Sequence, residues 1–600
     1  MWFGKLPYHY LLGISVFLAC LFFAVRFSSA SPFSKHAFAE PALPYLPPPP
    51  DSPKLISFLR DTSMPKLAYT TYIGWYEDGG LNESVLMAQA RAMATKLRPH
   101  GWTHILHDYN WQVCGSSTTR LEVSNEVGVE NCIHVDMYGR PVPSHERFPS
   151  AYPAGQWKER TTGSWKPIVD EIHGLGLGFG LHLIVGIPKV AVRDKLIIKG
   201  TNFTADQVVA QPLCDTFISD NWHMDVNHPG AQAYYDSIAS MWAEQGLDFV
   251  YLDGVAGDRC GCKLGDATLV SNSLKRFGNG VFLYTSFGPL DDQCTFEKLS
   301  NIAAYVRVGA DTEDTWVPAV ELGFTAYTRY TAAEIRPHHF GDLAALFVGK
   351  VHCKLKTPDC TQGPNYYVPS DRSVMNRNEV ISYASLIAMF RSSWWPAGVL
   401  TEMNAFHQWM LTNDAVIRVT MMSTRNRQVR DADSGSFYGP VVVWTADDKV
   451  EAWKYVLMVN MCPCFYTTEC TAWCNKAGIT FANLANITAA VRFDEIDLSP
   501  TANCSVTELW ENRELSRAFQ ELRVSLQPHA SLLVRLDCNV PRPSITQPPI
   551  QHSHQEQVQS NTGVVTNFSV CVVCIGLAFV AFVNRRKCLA KVKDEAIVGE

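Results

Sequence analysis

The stretch FVYLDG, residues 249–254, is a short apolar run that ends in a carboxylate and a glycine. A second stretch, YVRVGAD at residues 305–311, repeats this arrangement further along the chain. Runs of this length and composition predict β-strands, and the acid follows each strand at its carboxyl end. In a barrel of parallel strands these ends meet on one face, so Asp253 and Asp311 are expected to lie close together.

The surrounding sequence alternates apolar strand patterns with amphipathic helix patterns from about residue 69 to residue 396. Candidate strands cover residues 69–75, 104–110, 178–185, 247–254, 281–286 and 303–309. Helix patterns cover residues 83–97, 164–173 and 230–245, and two less distinct repeats lie near residues 343–351 and 385–395. Such alternation predicts an α/β fold, a (β/α)8 TIM barrel over residues 69–402.

Beyond residue 403 the pattern changes to short strands separated by turns, which predicts an antiparallel β-sandwich over residues 403–539. The candidate strands of this domain are residues 441–445, 454–460, 489–493, 506–510, 522–526 and 531–536.

The two ends of the chain predict a membrane-anchored protein. Residues 1–30 combine an early lysine, an apolar run and small residues, as a signal peptide does; an uncleaved signal anchor is the alternative. Residues 31–68 form a Pro-rich lead-in and residues 540–563 a stalk, before an apolar segment at 564–583 that is long enough for a transmembrane helix. Basic residues open the tail at 584–600 and place it in the cytosol. We therefore expect a single-pass type I protein with its ectodomain outside the cell or in the lumen of the secretory or lysosomal pathway.

The composition argues against a nucleic-acid partner and supports an extracellular or lumenal location for the ectodomain. The 600 residues are 47% hydrophobic and carry a net charge of -7 without a basic patch, so no nucleic-acid partner is predicted. Four sequons could carry glycans: Asn82, Asn202, Asn486 and Asn503. Of the 18 cysteines, 14 fall in the ectodomain, where disulfides are favoured over a zinc site even for the cluster Cys462, Cys464, Cys470 and Cys474.

Two carboxylates on different strands of one barrel fit glycoside hydrolysis, in which one acid protonates the leaving oxygen while the other attacks the sugar carbon. The alternative for each aspartate taken alone is that it caps the helix that follows its strand. The pair within a barrel pattern favours catalysis.

The chain from about residue 69 to residue 538 resembles glycoside hydrolase family 27, the melibiase or α-galactosidase family. The matching motifs are Gly74-Trp75, His107-Asp108-Tyr109-Asn110-Trp111, Gly178 to His182, Tyr251-Leu252-Asp253-Gly254, and Arg307 to Asp311. Within that family the chain is closer to plant and bacterial members that lack a second sugar-binding aspartate.

The resemblance implies roles for individual residues. Asp253 matches the family's nucleophile and Asp311 its general acid/base, and a retaining mechanism then requires their carboxyl groups to lie about 5–5.5 Å apart. The remaining matches imply substrate binding by six residues: Trp75, Asp108, Trp111, His182, Tyr251 and Arg307. For the tryptophans a core position is the alternative, for His182 a satisfied barrel histidine, and for Arg307 a plain ion pair.

The departures from the family pattern lie among the sugar contacts. Tyr109 stands where many members have a second aspartate, Tyr251 replaces a common lysine, and Val255 replaces a common cysteine. The chemistry is therefore better predicted than the sugar. Terminal α-D-galactose is the expected substrate, with β-L-arabinopyranose as a variant of the same chemistry and a non-catalytic carbohydrate-binding surface protein as an alternative. No cofactor or metal is expected, and a homodimer is possible by analogy with the family.

Overall fold

The computed structural model describes residues 43–72, 81–109, 111–113, 133–153, 157–214, 216, 221–255, 263–286, 293–308, 316, 340–343, 345–352, 365–368, 375–429, 441–462 and 485–538. Residues 43–46 belong to a separate unit, Met1–Leu46, and every element below belongs to Pro47–Glu600.

A parallel sheet occupies the first part of the chain. Its strands are β1 (Ala68–Thr70), β2 (His104–His107), β3 (Gly178–Ile184), β6 (Phe249–Asp253), β7 (Phe282–Thr285), β8 (Tyr305–Arg307), β9 (Phe340–Asp342), β10 (Ala345–Phe347) and β13 (Trp395–Ala397). They are hydrogen-bonded in the order β10-β13-β1-β2-β3-β6-β7-β8-β9. Strands β9 and β10 stand at opposite ends of this order, yet only residues 343 and 344 separate them in the chain. Counted as one interrupted strand, they give the nine strands the course of an eight-stranded barrel.

Short strands outside this sheet form two small pairs: β4 (Ile187–Pro188) with β5 (Asn221–Trp222), and β11 (Gly349–His352) with β12 (Asn365–Val368). The helices of the described residues are α1 (Leu55–Leu59), α2 (Glu83–Lys96), α3 (Lys166–Gly174), α4 (Lys189–Arg193), α5 (Pro229–Gln245), α6 (Lys263–Phe277), α7 (Gln293–Ile302), α8 (Arg377–Met389), α9 (Ala405–Leu411) and α10 (Asp414–Met422). Most of these helices connect parallel strands, as the crossovers of a barrel must.

Bulky aromatic side chains fill the interior of the barrel. The core residues are Ala68, Leu106, Phe249, Tyr251, Phe282, Tyr284, Tyr305, Phe340 and Trp395. Gly180 on β3 makes room for them, because a Cβ atom there would lie 2.5 Å from the ring of Phe249. The glycine therefore lets the large ring of β6 reach the middle of the barrel.

The last part of the chain forms an antiparallel sheet. Its strands are β14 (Ser423–Gln428), β15 (Val441–Asp448), β16 (Trp453–Asn460), β17 (Ile487–Arg492), β18 (Asn503–Glu508), β19 (Arg513–Phe519), β20 (Glu521–Leu526) and β21 (Ser531–Cys538). The hydrogen-bonded order is β14-β15-β16-β21-β18-β19-β20-β17. Side chains of β16, β17, β18, β20 and β21 share one apolar core, so the sheet folds over itself as a sandwich does. A disulfide joins Cys504 on β18 to Cys538 on β21, and Cys462 is disulfide-bonded as well.

Helix α8 packs against the antiparallel sheet and fixes it to the barrel. Ser382 donates a 2.7 Å hydrogen bond to the backbone oxygen of His529, and the indole N–H of Trp510 donates one of 2.8 Å to Ser385. These side chains are buried, so the contact belongs to the core of the molecule.

The parallel strands and the antiparallel region follow the prediction, with two departures. The less distinct repeat near residues 385–395 covers the end of α8, which is buried on nearly all sides, and the first residue of β13. Strands β14 and β19 were not predicted, since β14 is rich in polar residues and β19 exposes most of its side chains. None of the described helices is long and apolar enough to span a membrane. The predicted signal peptide, stalk, transmembrane helix and tail lie outside the described residues, and the domain boundaries stay predictions.

Candidate active site

The carboxyl ends of the parallel strands bring several of the predicted site residues to one face. Asp253 is the last residue of β6, and Arg307 is the last residue of β8. Arg307 lies opposite Asp342, the last residue of β9. Asp108 follows β2 directly. Parallel strands in register therefore collect acidic and basic groups on this face, where active sites of barrel enzymes lie.

Asp253 is the best-defined member of this group. One carboxylate oxygen lies 3.1 Å from Nε2 of His182, and the other accepts a 2.6 Å hydrogen bond from the backbone N–H of Gly254. Burial disfavours the charged carboxylate, but the His182 contact and the charge of Arg307 outweigh burial and lower the pKa of Asp253 below its usual value. The carboxylate is thus held ionised, as a nucleophile requires.

His182 lies between acidic groups and aromatic rings. Burial disfavours its charged form, but the charge of Asp108 and the contact with Asp253 outweigh burial and raise the pKa of His182. Its ring stacks on Tyr251 with centroids 5.7 Å apart, and Tyr109 meets it edge-on at 5.8 Å. Since its side chain is only 7% exposed, His182 is placed to contact Asp253 and has little access to solvent.

Tyr251 connects this pair to residues of the neighbouring strands β7 and β8. Its hydroxyl accepts a hydrogen bond from Arg307, and its ring stacks on Tyr284 with centroids 5.8 Å apart. Burial raises the pKa of Tyr251, and the negative charge of Asp342 acts in the same direction. The phenol therefore stays neutral and positions the guanidinium group beside Asp253.

The residues that follow β2 differ in exposure. Asp108 is half-buried, and its carboxylate accepts a 2.7 Å hydrogen bond from the N–H of Tyr109. Trp111, in contrast, is fully buried against Trp165, and its indole N–H donates 2.8 Å to the backbone oxygen of His182. This position favours the core alternative for Trp111: the ring supports the strand that carries His182 and does not wall an open sugar site.

Two predicted site residues, Trp75 and Asp311, lie outside the described residues, so the role of Asp311 and the separation of the two carboxyl groups stay predictions. The sequon residues Asn202, Asn486 and Asn503 are exposed. Asn82 instead caps α2 through a 3.0 Å hydrogen bond from the N–H of Val85. Glycosylation at all four is a prediction.

The site contains three further residues, of which Asp342 matches an acidic position of the family, with helix capping as the alternative. Tyr284, Trp395 and Asp342 surround Tyr251 through ring contacts or charge. Tyr284 lies within the predicted strand 281–286 and Trp395 at the end of the repeat near 385–395, but aromatic residues in a barrel core carry no distinctive motif.

Comparisons with known proteins relate this site to one family. No protein-family model and no curated protein matches the chain. Among solved structures, a GH27 β-L-arabinopyranosidase from Geobacillus stearothermophilus is 24% identical, with a TM-score of 0.64 over 81% of this chain and 98% of that one. A variant of that enzyme in complex with arabinose is 25% identical over 80% of this chain and 98% of its own, again at 0.64.

A more distant likeness is α-galactosidase I from Mortierella vinacea, 15% identical with a TM-score of 0.52 over 79% of this chain and 97% of that one. At that identity it shows a shared fold only. These structural neighbours are glycosidases of family 27, and they confirm the resemblance to that family that the sequence predicts.

Proposed function

We propose that this protein is a retaining glycosidase that removes a terminal sugar with the ring configuration of galactose, with β-L-arabinopyranosides as the first candidate substrates. The likeness to solved structures of family 27 glycosidases supports the activity. The observation that carries the mechanism is the ionised carboxylate of Asp253, held by His182 and the Gly254 N–H at the end of a barrel strand.

The reaction follows from these groups in two steps. Asp253 forms a bond to the anomeric carbon while the glycosidic C–O bond breaks, and Asp311 gives its proton to the leaving oxygen. Asp311 then takes a proton from water, whose oxygen attacks the anomeric carbon and releases Asp253. Arg307 stabilises the negative charge that Asp253 carries before it attacks and regains when the sugar is released.

The preference for arabinopyranose rests on two observations. The structures with the higher TM-score of 0.64 are those of an arabinopyranosidase, and one of them holds arabinose. Tyr109 replaces a carboxylate with an aromatic ring that lies 5.8 Å from His182. Terminal α-D-galactose is the second candidate, because Asp108 keeps the first of the two sugar-binding aspartates that its family resemblance implies.

The test is hydrolysis of nitrophenyl glycosides of β-L-arabinopyranose, α-D-galactose and α-N-acetylgalactosamine by the purified full-length chain. Asp253→Ala should abolish turnover, and added azide should restore it with a glycosyl azide of inverted configuration, since azide replaces the missing nucleophile. Asp170→Asn is the matched control, because Asp170 is an exposed residue of α3 paired with Lys166. It should keep the activity of the parent.

The alternative of a non-catalytic sugar-binding protein makes a different prediction. It requires folded parent protein to bind the sugars without hydrolysing any of them between pH 4 and pH 8, and Asp253→Ala to leave that state unchanged. Azide-dependent turnover by the variant is incompatible with it.

A further inference from the structure

Three side chains with metal-ligand chemistry converge outside the candidate active site. His134, His145 and Glu146 lie in the segment between β2 and β3, and their ligand atoms are all within 4.8 Å of one another. Nε2 of His134 lies 3.2 Å from Oε2 of Glu146, and Nδ1 of His145 lies 3.1 Å from the same oxygen.

The hydrogen-bond geometry of the two ring nitrogens is poor. Both ring nitrogens are buried, and in the described part of the chain neither has a hydrogen-bond partner despite its distance to the carboxylate. Buried polar atoms are nearly always partnered in native structures, so two such nitrogens beside one carboxylate oxygen indicate a partner that all three atoms share.

The charge states fit a cation. Burial lowers the pKa of His134, so its imidazole is neutral at pH 7 with a lone pair to donate. Burial opposes the charged form of Glu146, but a hydrogen bond from Ser144 outweighs it and lowers the pKa of that carboxyl. Imidazole nitrogens and a carboxylate oxygen are the atoms through which histidine and glutamate bind metal.

The surroundings hold the three side chains in place. Ser144 donates a 2.7 Å hydrogen bond to Glu146, and the ring of Trp157 stacks on His145 with centroids 3.7 Å apart and 13° between the planes. Outer contacts of this kind fix the orientation of metal ligands. The backbone is also tied, because the N–H of Ser144 donates to the oxygen of Trp111 at 2.8 Å.

We propose that His134, His145 and Glu146 bind a zinc ion, with water in the fourth position. Zinc takes two histidines and a carboxylate at about 2.0–2.2 Å, which puts neighbouring ligand atoms of a tetrahedron roughly 3.3 Å apart. The observed separations of 3.1 and 3.2 Å to Glu146 match that edge. Calcium and magnesium prefer oxygen ligands and fit this donor set less well. The site was not predicted from the sequence, and it does not depend on the proposed function.

The role of this ion is to brace the segment that follows β2. That segment begins beside Asp108 and contains Trp111, whose indole supports the strand of His182. A metal that joins residues 134, 145 and 146 restricts this segment without taking part in the reaction.

The test uses the full-length chain, freed of metal with a chelator and titrated with zinc alone by calorimetry. The parent should bind one zinc ion per chain, and His134→Ala and His145→Ala should each weaken binding by at least roughly 100-fold, more than the loss of an outer-sphere partner costs. His100→Ala is the matched control, because His100 contacts Asp414 at 2.8 Å with similar exposure, 28% against 26% for His145. It should bind zinc as the parent does.

Two measurements on the unsubstituted protein keep the proposal testable if the variants fold poorly. Zinc should raise the Tm and chelator should reverse the rise, and Co²⁺ should give the intense visible absorption of a tetrahedral site. Absence of zinc binding by folded parent protein overturns the proposal. Equal binding by the parent and both histidine variants, or a weak six-coordinate Co²⁺ spectrum, overturns it as well.

Discussion

The carboxylate of Asp253 remains charged in a place where burial favours its neutral form. An ionised acid in such a position requires donors and positive charge within hydrogen-bond distance. His182 and the Gly254 N–H supply two donors at 3.1 and 2.6 Å. Asp108 also favours the charged form of His182, and Asp253 and His182 stabilise each other's ionised states.

Replacement of His182 should therefore change the pH dependence of catalysis. The pKa of Asp253 is depressed in the folded protein, so activity that needs its carboxylate is lost as pH falls through that pKa. His182→Ala should move this acidic limb of kcat/KM to higher pH and lower the maximum roughly 10- to 100-fold, as expected for a lost hydrogen bond to a charged group. His182→Gln retains a donor without the charge and should fall between the two. An acidic limb that is identical in the parent and His182→Ala would contradict this assignment.

The hydroxyl of Tyr251 should matter for catalysis more than for stability. Tyr251→Phe keeps the ring stacked between His182 and Tyr284 but removes the acceptor for Arg307. We expect kcat/KM to fall by roughly 10-fold, the effect of about 1.4 kcal/mol, with little change in Tm.

Tyr284→Phe is the matched control for that prediction. Tyr284 belongs to the same stack, but its hydroxyl contacts Ser393 at 2.9 Å. Its loss should leave kcat/KM within about 2-fold of the parent, in line with a change of only a few tenths of a kcal/mol. Equal losses in the two variants would indicate a general effect of the core and not a contact with Arg307.

At the scale of elements, the turn between β15 and β16 is tied to α10 by one carboxylate. Asp448 accepts hydrogen bonds from Arg418 at 2.8 and 3.1 Å and from the Tyr455 hydroxyl at 2.7 Å. It also accepts from the backbone N–H groups of Val450 and Glu451 at 2.9 Å each. The carboxylate thus links helix α10 to the hairpin of β15 and β16.

Asp448→Asn should lower the free energy of unfolding by about 3–5 kcal/mol at pH 7, because it leaves a mostly buried arginine without its charge partner. Burial disfavours the charged form of Asp448, but the contact with Arg418 outweighs it and lowers the pKa of Asp448. Its contribution is present above the unfolded pKa of about 3.9 and is lost as pH falls through the folded pKa.

Urea unfolding at pH 7 and pH 3 measures both effects of this change, and the difference between Asp448→Asn and the parent should shrink at the lower pH. Asp494→Asn, at an exposed pair with Arg492, should change stability by less than about 0.5 kcal/mol at either pH. A deficit for Asp448→Asn that is the same at pH 3 would contradict the proposed charge effect.

Elements with clear periodicity were predictable, and the departures have physical causes. Strands β3 and β6 are apolar on both faces and were found within a residue or two of their predicted ends. Strand β19 was missed because its residues face solvent and it is held by pairing with β18. The site was predictable where a motif names a residue, as for Asp253. Contacts across the barrel, such as that between Tyr251 and Arg307, depend on register, which local sequence does not encode.

Trp316, which follows Arg307 and Asp311 in the sequence, contacts the antiparallel sheet. The buried ring of Trp316 stacks on His529 with centroids 4.3 Å apart and 12° between the planes. His529 lies in the turn between β20 and β21, and its Nδ1 is 2.5 Å from a carboxylate oxygen of Glu379 on α8. The antiparallel sheet therefore contacts Trp316, which follows the predicted acid/base by five positions in the sequence.

This connection predicts a selective effect of His529 on proton transfer. His529→Ala removes the stacking partner of Trp316 and should lower kcat/KM by roughly 2- to 10-fold, the value of about 0.5–1.5 kcal/mol for an aromatic pair. The loss should be larger for alkyl glycosides, which need protonation of the leaving oxygen by Asp311, than for dinitrophenyl glycosides, which leave without it. His529→Phe restores a stacking ring but not the contact with Glu379, so it should recover most of the alkyl glycoside activity. If the alanine variant loses the same factor on both kinds of substrate, the antiparallel sheet only stabilises the fold and does not position the acid.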